Sequence, residues 1–387
     1  MTRNEFIRLC TVFGIGLPLH LNYSSCQADN LESTDFTGKV LIIGAGAGGL
    51  SAGYFLSQLG IDFEILEASS NYGGRMKRNI GFANFPIPLG AEWIHTDANV
   101  LQRIANDDNV SVGISTVGYN ENDTVGLWDG EMLSVSKERD SDLKFVNSTW
   151  FDFYEQYIVP PIKDKIRYET VVTQVDYNEN EITVLTNNSS FTCDKLIVSV
   201  PPKILQEGDI IFNPNLPERK RNAIDQLNVW AGFKAFFEFS EKFYHTATAF
   251  DIRPETDGQK LYYDASYGQD TTQHILGLFT VGKPALELGS KSEVELRNFV
   301  LQELDTIYDN QASQTYLKHM VQNWNDEPYI RGGYISDHED WRTVAILSEP
   351  VDDKIYFAGG PYTNGEDWVA VHAAAQSARD AVHMLSR

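Results

Sequence analysis

Cysteine is scarce. Cys10, Cys26 and Cys193 are the whole complement in 387 residues. Two fall in the first 26 residues, so a chain processed beyond that point keeps Cys193 alone and forms no internal disulfide. No Cys or His spacing suits zinc or an iron–sulfur cluster, so no metal is expected. Positive charge is also in short supply: 31 Lys and Arg face 54 Asp and Glu, for a net charge of -23. Such a surface repels phosphate backbones, which argues against a nucleic-acid partner, and it attracts cations, amines among them. The same surplus also serves solubility alone. Long apolar runs are missing too. Leu9–Leu21 is too short to span a bilayer, so no integral membrane span is expected. There is no internal repeat and no low-complexity segment. What remains is 42% hydrophobic and 22% charged, the profile of a soluble globular protein of two domains or one two-lobed unit.

The first residues read as an address. Arg3 and Arg8 precede the apolar stretch Leu9–Leu21. Thr2–Ile7 resembles a twin-arginine export signal, with Asn4 where the second arginine belongs. Ser24-Ser25-Cys26 resembles the end of a lipoprotein signal, with Tyr23 a poor fit upstream. An ordinary secretory signal or a disordered tail remains open. Residues 1–35 are therefore read as export signal and linker. The protein is expected to be exported, periplasmic or anchored at a membrane through a lipidated Cys26, and otherwise cytoplasmic.

The first folded unit is legible in detail. Lys39–Ile43 is a short apolar run, read as a buried strand. A helix over about Leu50–Leu59 and a second strand over Asp62–Glu67 follow. Between them lies Gly44-x-Gly46-x-x-Gly49. Gly44 permits the tight turn, Gly46 lets the backbone approach a pyrophosphate, and Gly49 lets the helix pack close. The helix N-terminus presents its positive dipole end to phosphate. Glu67 ends the second strand, where a carboxylate can take ribose hydroxyls. A tight glycine turn alone would explain the glycines but leave Glu67 a coincidence. The pattern does not separate FAD from NAD. The position of the fingerprint favours FAD, since it opens the folded region and matching elements return late in the chain. Further strands are read at Val171–Tyr177, Ile182–Leu185, Phe191–Val200, Ala231–Phe239 and Lys354–Phe357. Helices are read over 291–308 and Val369–Leu385.

Gly73-Gly74-Arg75, then Leu89-Gly90-Ala91-Glu92-Trp93-Ile94-His95, then Tyr356-Phe357-Ala358-Gly359, occur in that order. Together they resemble the flavin amine oxidase family, which includes monoamine oxidases, polyamine oxidases, L-amino-acid oxidases and histone lysine demethylases. The resemblance runs from about residue 38 to 387. It implies an α/β fold: a Rossmann-like, two-dinucleotide-binding-domain FAD scaffold with an inserted α+β substrate domain. The FAD domain would combine residues 36–98, 166–225 and 333–387. The substrate domain would combine 99–165 and 226–332.

The resemblance also implies roles. Gly74 and Arg75 would hold the pyrophosphate or ribityl chain, as a guanidinium beside a glycine pair is suited to do. Gly90, Ala91 and Trp93 would line the flavin, and Val172 would meet the adenine. Lys234 stands in an aromatic strand where the family keeps a lysine that holds a water at flavin N5. A buried amine there would have a lowered pKa; the alternative is a lysine snorkelling to solvent. Trp324 would pack beside the isoalloxazine. Tyr334 would form one wall of an aromatic cage, which suits an amine. Core packing alone would also account for Trp324 and Tyr334. His95 stands where some polyamine oxidases keep a substrate-facing histidine, though a lone histidine is more often structural. Val371 opens the last helix, whose N-terminus would face the flavin pyrimidine ring. Gly359 ends the late strand.

Four departures from the family pattern stand out. Gly333 replaces the cysteine that tethers flavin in monoamine oxidases, which implies non-covalent FAD. Gly360 replaces the glutamate that usually follows Phe-Ala-Gly. Residues 99–165 are shorter than the usual helical segment, and the second cage aromatic is displaced to Trp368. The reaction implied is hydride transfer from an amine α-carbon to flavin N5, with O2 or another electron acceptor. A dehydrogenase or desaturase of a non-amine substrate, or a non-catalytic flavoprotein, stays open.

Overall fold

A computed structural model describes residues 35–137, 141–365 and 367–387. The export and lipidation expectations for residues 1–35 fall almost wholly outside them. Among the described residues, no helix is long and apolar enough to cross a membrane, and no His/Cys/Asp/Glu group could hold a metal ion.

The frame is a five-stranded sheet in the order Ile355–Phe357, Lys195–Val198, Lys39–Ile43, Asp62–Leu66, Ile166–Arg167. Every pairing in it is parallel. Parallel sheets are covered on both faces, and side chains alternate between them. Lys39–Ile43 follows this rule. Val40 and Ile42 join one core cluster, with Leu50, Phe55 and Ala378. Leu41 and Ile43 join another, with Ile204, Ile224 and Leu347. The helix Ala47–Gln58 packs hard onto the sheet. A β-carbon on Gly53 would lie 2.8 Å from Ile65 Cδ1.

A four-stranded sheet flanks this frame, in the order Ser190–Cys193, Ile182–Thr186, Val172–Asp176, Ile211–Asn213. Here one expectation is corrected. Phe191–Val200 is not a single strand. Ser190–Cys193 pairs antiparallel in the four-stranded sheet, and Lys195–Val198 pairs parallel in the five-stranded one. The chain changes sheets at Asp194, whose carboxylate accepts from Lys39 N at 2.7 Å and whose own N donates to Lys39 O at 2.9 Å.

The third layer is a seven-stranded sheet in the order Tyr316–Asn323, Gly232–Phe239, His274–Gly282, Gly258–Asp264, Ala247–Phe250, Thr124–Trp128, Leu133–Lys137. The stretch 99–165 thus donates two strands to it, joined through the parallel pair Ala247–Phe250 and Thr124–Trp128. The same stretch places Trp150, Phe153, Tyr154 and Ile158 in the core around the helix Ala47–Gln58. The helix Glu293–Ile307 opens on a capping box, Ser292 with Glu295. It buries Leu296, Val300, Leu304 and Ile307 against Phe237, Leu276 and Leu278 of the sheet.

Candidate active site

The parallel frame and the seven-stranded sheet meet around one cavity of about 1400 Å³. That exceeds the usual range of about 300–1,000 Å³ for small-ligand sites and leaves room for a dinucleotide with a second molecule.

The glycine turn enters first. Gly44 has φ +101°, and a β-carbon there would lie 2.7 Å from Ser199 O. Gly46 caps the helix Ala47–Gln58, and a β-carbon on it would meet nothing within 4 Å, because it faces the cavity. Gly49 is the one expected site residue outside the cavity wall. A β-carbon there would fall 1.9 Å from Gly44 O, so this glycine shapes the turn from beneath. Glu67 braces the same turn. It accepts from Ala45 N at 2.6 Å, and from Ser69 N at 2.8 Å and Ser69 Oγ at 2.5 Å.

Gly74, with φ +53°, lies against Gly46. Arg75 donates from Nη1 to Gly333 O, and burial lowers its pKa. Gly90 runs directly over Arg75: a β-carbon on it would lie 1.9 Å from Arg75 O and 2.9 Å from Trp324 Cζ2. Ala91 N donates to Arg75 O at 3.0 Å. Trp324 is buried, with Nε1 donating to Leu89 O at 3.0 Å. Gly333, in the position of the missing cysteine, abuts Gly232. A β-carbon on Gly232 would sit 2.7 Å from Gly333 Cα. Val172 lines the cavity from the four-stranded sheet. Gly359 and Gly360 line it at the end of Ile355–Phe357, and Val371 at the start of the helix Val371–Leu385.

The four residues expected to carry the chemistry, Lys234 at the flavin and His95, Tyr334 and Trp368 toward substrate, also border this cavity. His95 Nδ1 lies 2.7 Å from the buried Asp142 Oδ2. Nearby, His372 Nε2 lies 3.0 Å from Asp367 Oδ2. Burial opposes ionisation of Asp367, but His372, with a smaller pull from His95, carries its pKa below the ordinary value. The ring packed against Tyr334 is Trp230, at 6.1 Å between centroids. Burial, with Asp337 adding to it, raises the pKa of the Tyr334 phenol. Trp368 donates from Nε1 to Ser336 O at 3.0 Å. Lys234 does not snorkel: it is 2% exposed. Its Nζ donates to Glu92 Oε2 at 2.7 Å, Gly90 O at 3.0 Å and Pro88 O at 3.2 Å.

Sequence reasoning passed over Lys144, Tyr263, Trp230 and Asp142, and gave Glu92 no role. Lys144 is buried beside Glu92, and Tyr263 donates to Glu92. One signal was there. Lys144 sits between Leu143 and Phe145, a lysine inside an apolar run like Lys234 itself.

A parallel sheet with a glycine turn and an acid at the end of its second strand defines the class of dinucleotide-binding proteins. Residues 42–107 match the NAD(P)-binding Rossmann-like domain. Residues 152–384 match the family described as flavin containing amine oxidoreductase. The chain belongs to the flavin containing amine oxidoreductase family. It is 28% identical to lysine-specific histone demethylase 1B of Mus musculus over 174 residues, 44% of this chain and 21% of that protein. The match thus spans about a fifth of the demethylase's length. Polyamine oxidase 2 of Arabidopsis thaliana is 22% identical over 385 residues, covering 77% of this chain and 78% of its own. A solved putrescine oxidase bound to putrescine shares the fold, with a TM-score of 0.72 at 16% identity over 91% of this chain and 100% of that one.

Proposed function

We propose that this chain binds FAD without a covalent tether and oxidises an aliphatic amine. One observation carries the reading: the glycine turn, the Gly90–Ala91 floor, Trp324 and Lys234 border a single cavity. The residues fit the cofactor. Gly46 offers an open backbone where a side chain would obstruct a pyrophosphate, and the first turn of Ala47–Gln58 offers its N–H groups. Glu67 is already oriented by Ala45 and Ser69, at the end of the strand where ribose hydroxyls fall. Gly333 has no nucleophile to form a tether.

Bound FAD would supply the N5 acceptor for a hydride from the amine α-carbon and then pass two electrons to O2, giving H2O2. The chain's residues do the rest. Tyr334 and Trp368 border the approach, with Trp230 packed against Tyr334, and aromatic faces attract an amine's cationic form. His95 with Asp142 gives that wall a polar, carboxylate-backed group that can hold a substrate ammonium. Lys234 sits behind Gly90 and Trp93 and can move a proton at Nζ. The names of the polyamine and putrescine oxidases it resembles support an amine substrate. The FAD domain is read as 36–98, 166–225 and 333–387, and residues 1–35 as an export segment.

The test is an anaerobic panel of mono-, di- and polyamines, read by bleaching of the flavin absorbance. Bleaching by one amine class, with peroxide formed on admitting air, is the expected result. A flavin that no amine bleaches would overturn the reading.

A further inference from the structure

Glu92, Lys144, Lys234 and Tyr263 come from four separate stretches and meet in one buried cluster. Two ammonium groups share one carboxylate. Lys234 Nζ lies 2.7 Å from Glu92 Oε2, and Lys144 Nζ lies 3.3 Å from Glu92 Oε1. All three side chains are 3% exposed. An ammonium has three N–H donors. Lys234 directs its other two at Pro88 O and Gly90 O, and Lys144 directs its other two at Asp264 O and Ala265 O, at 2.9 and 3.2 Å. Lys234 thus makes three hydrogen bonds within the protein, and Lys144 makes two beside its ion pair with Glu92. Two cations and one anion still leave an excess positive charge out of water, which is costly, and release of one proton relieves it.

The two lysines differ in where they face. Lys234, Glu92 and Tyr263 border the cavity, while Lys144 stands outside its lining, behind Glu92. We propose that Lys144 is a positioning residue: it is the standing counter-cation of Glu92 and makes Lys234 the lysine that exchanges a proton with the cavity. The inference rests on the reading that Lys234 serves the flavin reaction. When the proton leaves Lys234 Nζ for a water or base in the cavity, the Lys144–Glu92 pair stays closed. No carboxylate is then left buried and uncompensated. Burial draws the Lys234 pKa down, Lys144 adds to that, and Glu92 opposes it. Burial resists ionisation of Glu92, and the two lysines overcome it. The surrounding carboxylates each have their own partner: Asp264 with Lys242, Asp142 with His95, Glu327 with Lys77, and Glu238 with Lys318.

The test uses the FAD-loaded enzyme and two readouts against pH. One is the visible spectrum of the resting flavin, which senses charge beside the ring. The other is the rate of anaerobic flavin reduction by amine. Lys144→Met leaves Lys234 as the only cation facing Glu92, so the transition moves up by at least about one pH unit. Glu92→Gln leaves two unpaired lysines, so the transition moves down by a similar amount. Lys144→Arg keeps the charge and the wild-type value. Where Lys144→Met does not retain FAD, Lys144→Gln takes its place with the same expected sign. Movement of both variants in one direction, or of neither, overturns the proposal. A purely structural role lowers the melting temperature and leaves the transition in place. If Lys234→Met leaves both half-reactions unchanged, the reading of Lys234 itself has failed. If Lys234→Met removes the transition and Lys144→Met does not move it, only this inference has failed.

Discussion

A β-carbon on Gly360 would lie 2.8 Å from the backbone oxygen of Trp368. Two departures from the family pattern are therefore one. The chain carries glycine where a glutamate usually follows Phe-Ala-Gly because the segment bearing Trp368 runs directly over it. Gly360→Glu, though it restores the family's residue, is expected to destabilise the protein by about 1–3 kcal/mol through overpacking against backbone. A thermal melt checks it. Unchanged stability with tighter FAD binding would show that the Trp368 segment yields.

The glycines of the turn separate two demands. Gly46→Val places its β-carbon in the cavity with nothing within 4 Å, so it should fold normally and weaken FAD binding at least about tenfold, or 1.4 kcal/mol. Gly49→Ala drives a β-carbon onto Gly44 O and should lower stability itself, by about 1–3 kcal/mol. Flavin titration and urea unfolding of both variants distinguish these outcomes. The two variants behaving alike would contradict the assignment.

Lys234→Met should slow flavin reduction or reoxidation by roughly a hundredfold, the scale of a lost proton-transfer group, with FAD retained. Methionine keeps the apolar stem beneath Trp93, Phe236 and Tyr263, and Glu92 keeps Lys144. Stopped-flow measurement of the two half-reactions locates the defect. Rates equal to wild type in both would return Lys234 to a structural role.

Acid precipitation of the yellow holoenzyme should release all of its flavin to the supernatant. Gly333 supplies no thiol. Flavin retained in the pellet would contradict non-covalent binding.

Lys220 offers a pH test remote from the cavity. It is 3% exposed, lies 3.7 Å from the Phe357 ring centroid, and donates to Ile346 O and Leu347 O at the end of the helix Trp341–Ser348. Burial lowers its pKa from 10.5 to about 7, with Glu349 opposing. Between those values the unfolded chain holds a proton that the folded chain has released, so this group's contribution to stability rises with pH. The stability of wild type relative to Lys220→Met should therefore rise as pH goes from about 7 to about 10. Urea midpoints across that range measure it. A constant difference would mean that Lys220 stays charged in the fold.

The glycine turn was legible because its demands are local. A positive φ at Gly44 and an open face at Gly46 are satisfied within a few residues of sequence. Lys234 was legible because a lysine among aromatics is out of place on an exposed strand. Lys144 and Tyr263 were not, because only the pairing of distant strands brings them to Glu92. Gly258–Asp264 and His274–Gly282 passed unread for a different reason: Gln259, Lys260, Asp264 and Thr280 are polar residues buried within them and interrupt the apolar run that made the equally buried Gly232–Phe239 legible. Phe191–Val200 was misread because only two charged residues, Asp194 and Lys195, stand at the junction of the two strands, too short a break to mark a change of sheet.

Gly48 and Gly359 set an order of events in the life of the chain. A β-carbon on Gly48 would lie 2.7 Å from Gly359 Cα, and the helix Val371–Leu385 packs across Ala47–Gln58. The phosphate turn is thus made early in synthesis, but its lid of backbone arrives only after the ribosome has translated Ile355–Leu385. A nascent chain carries half a nucleotide cradle for most of its elongation. A cradle closed on both sides is therefore expected only once both stretches have been made.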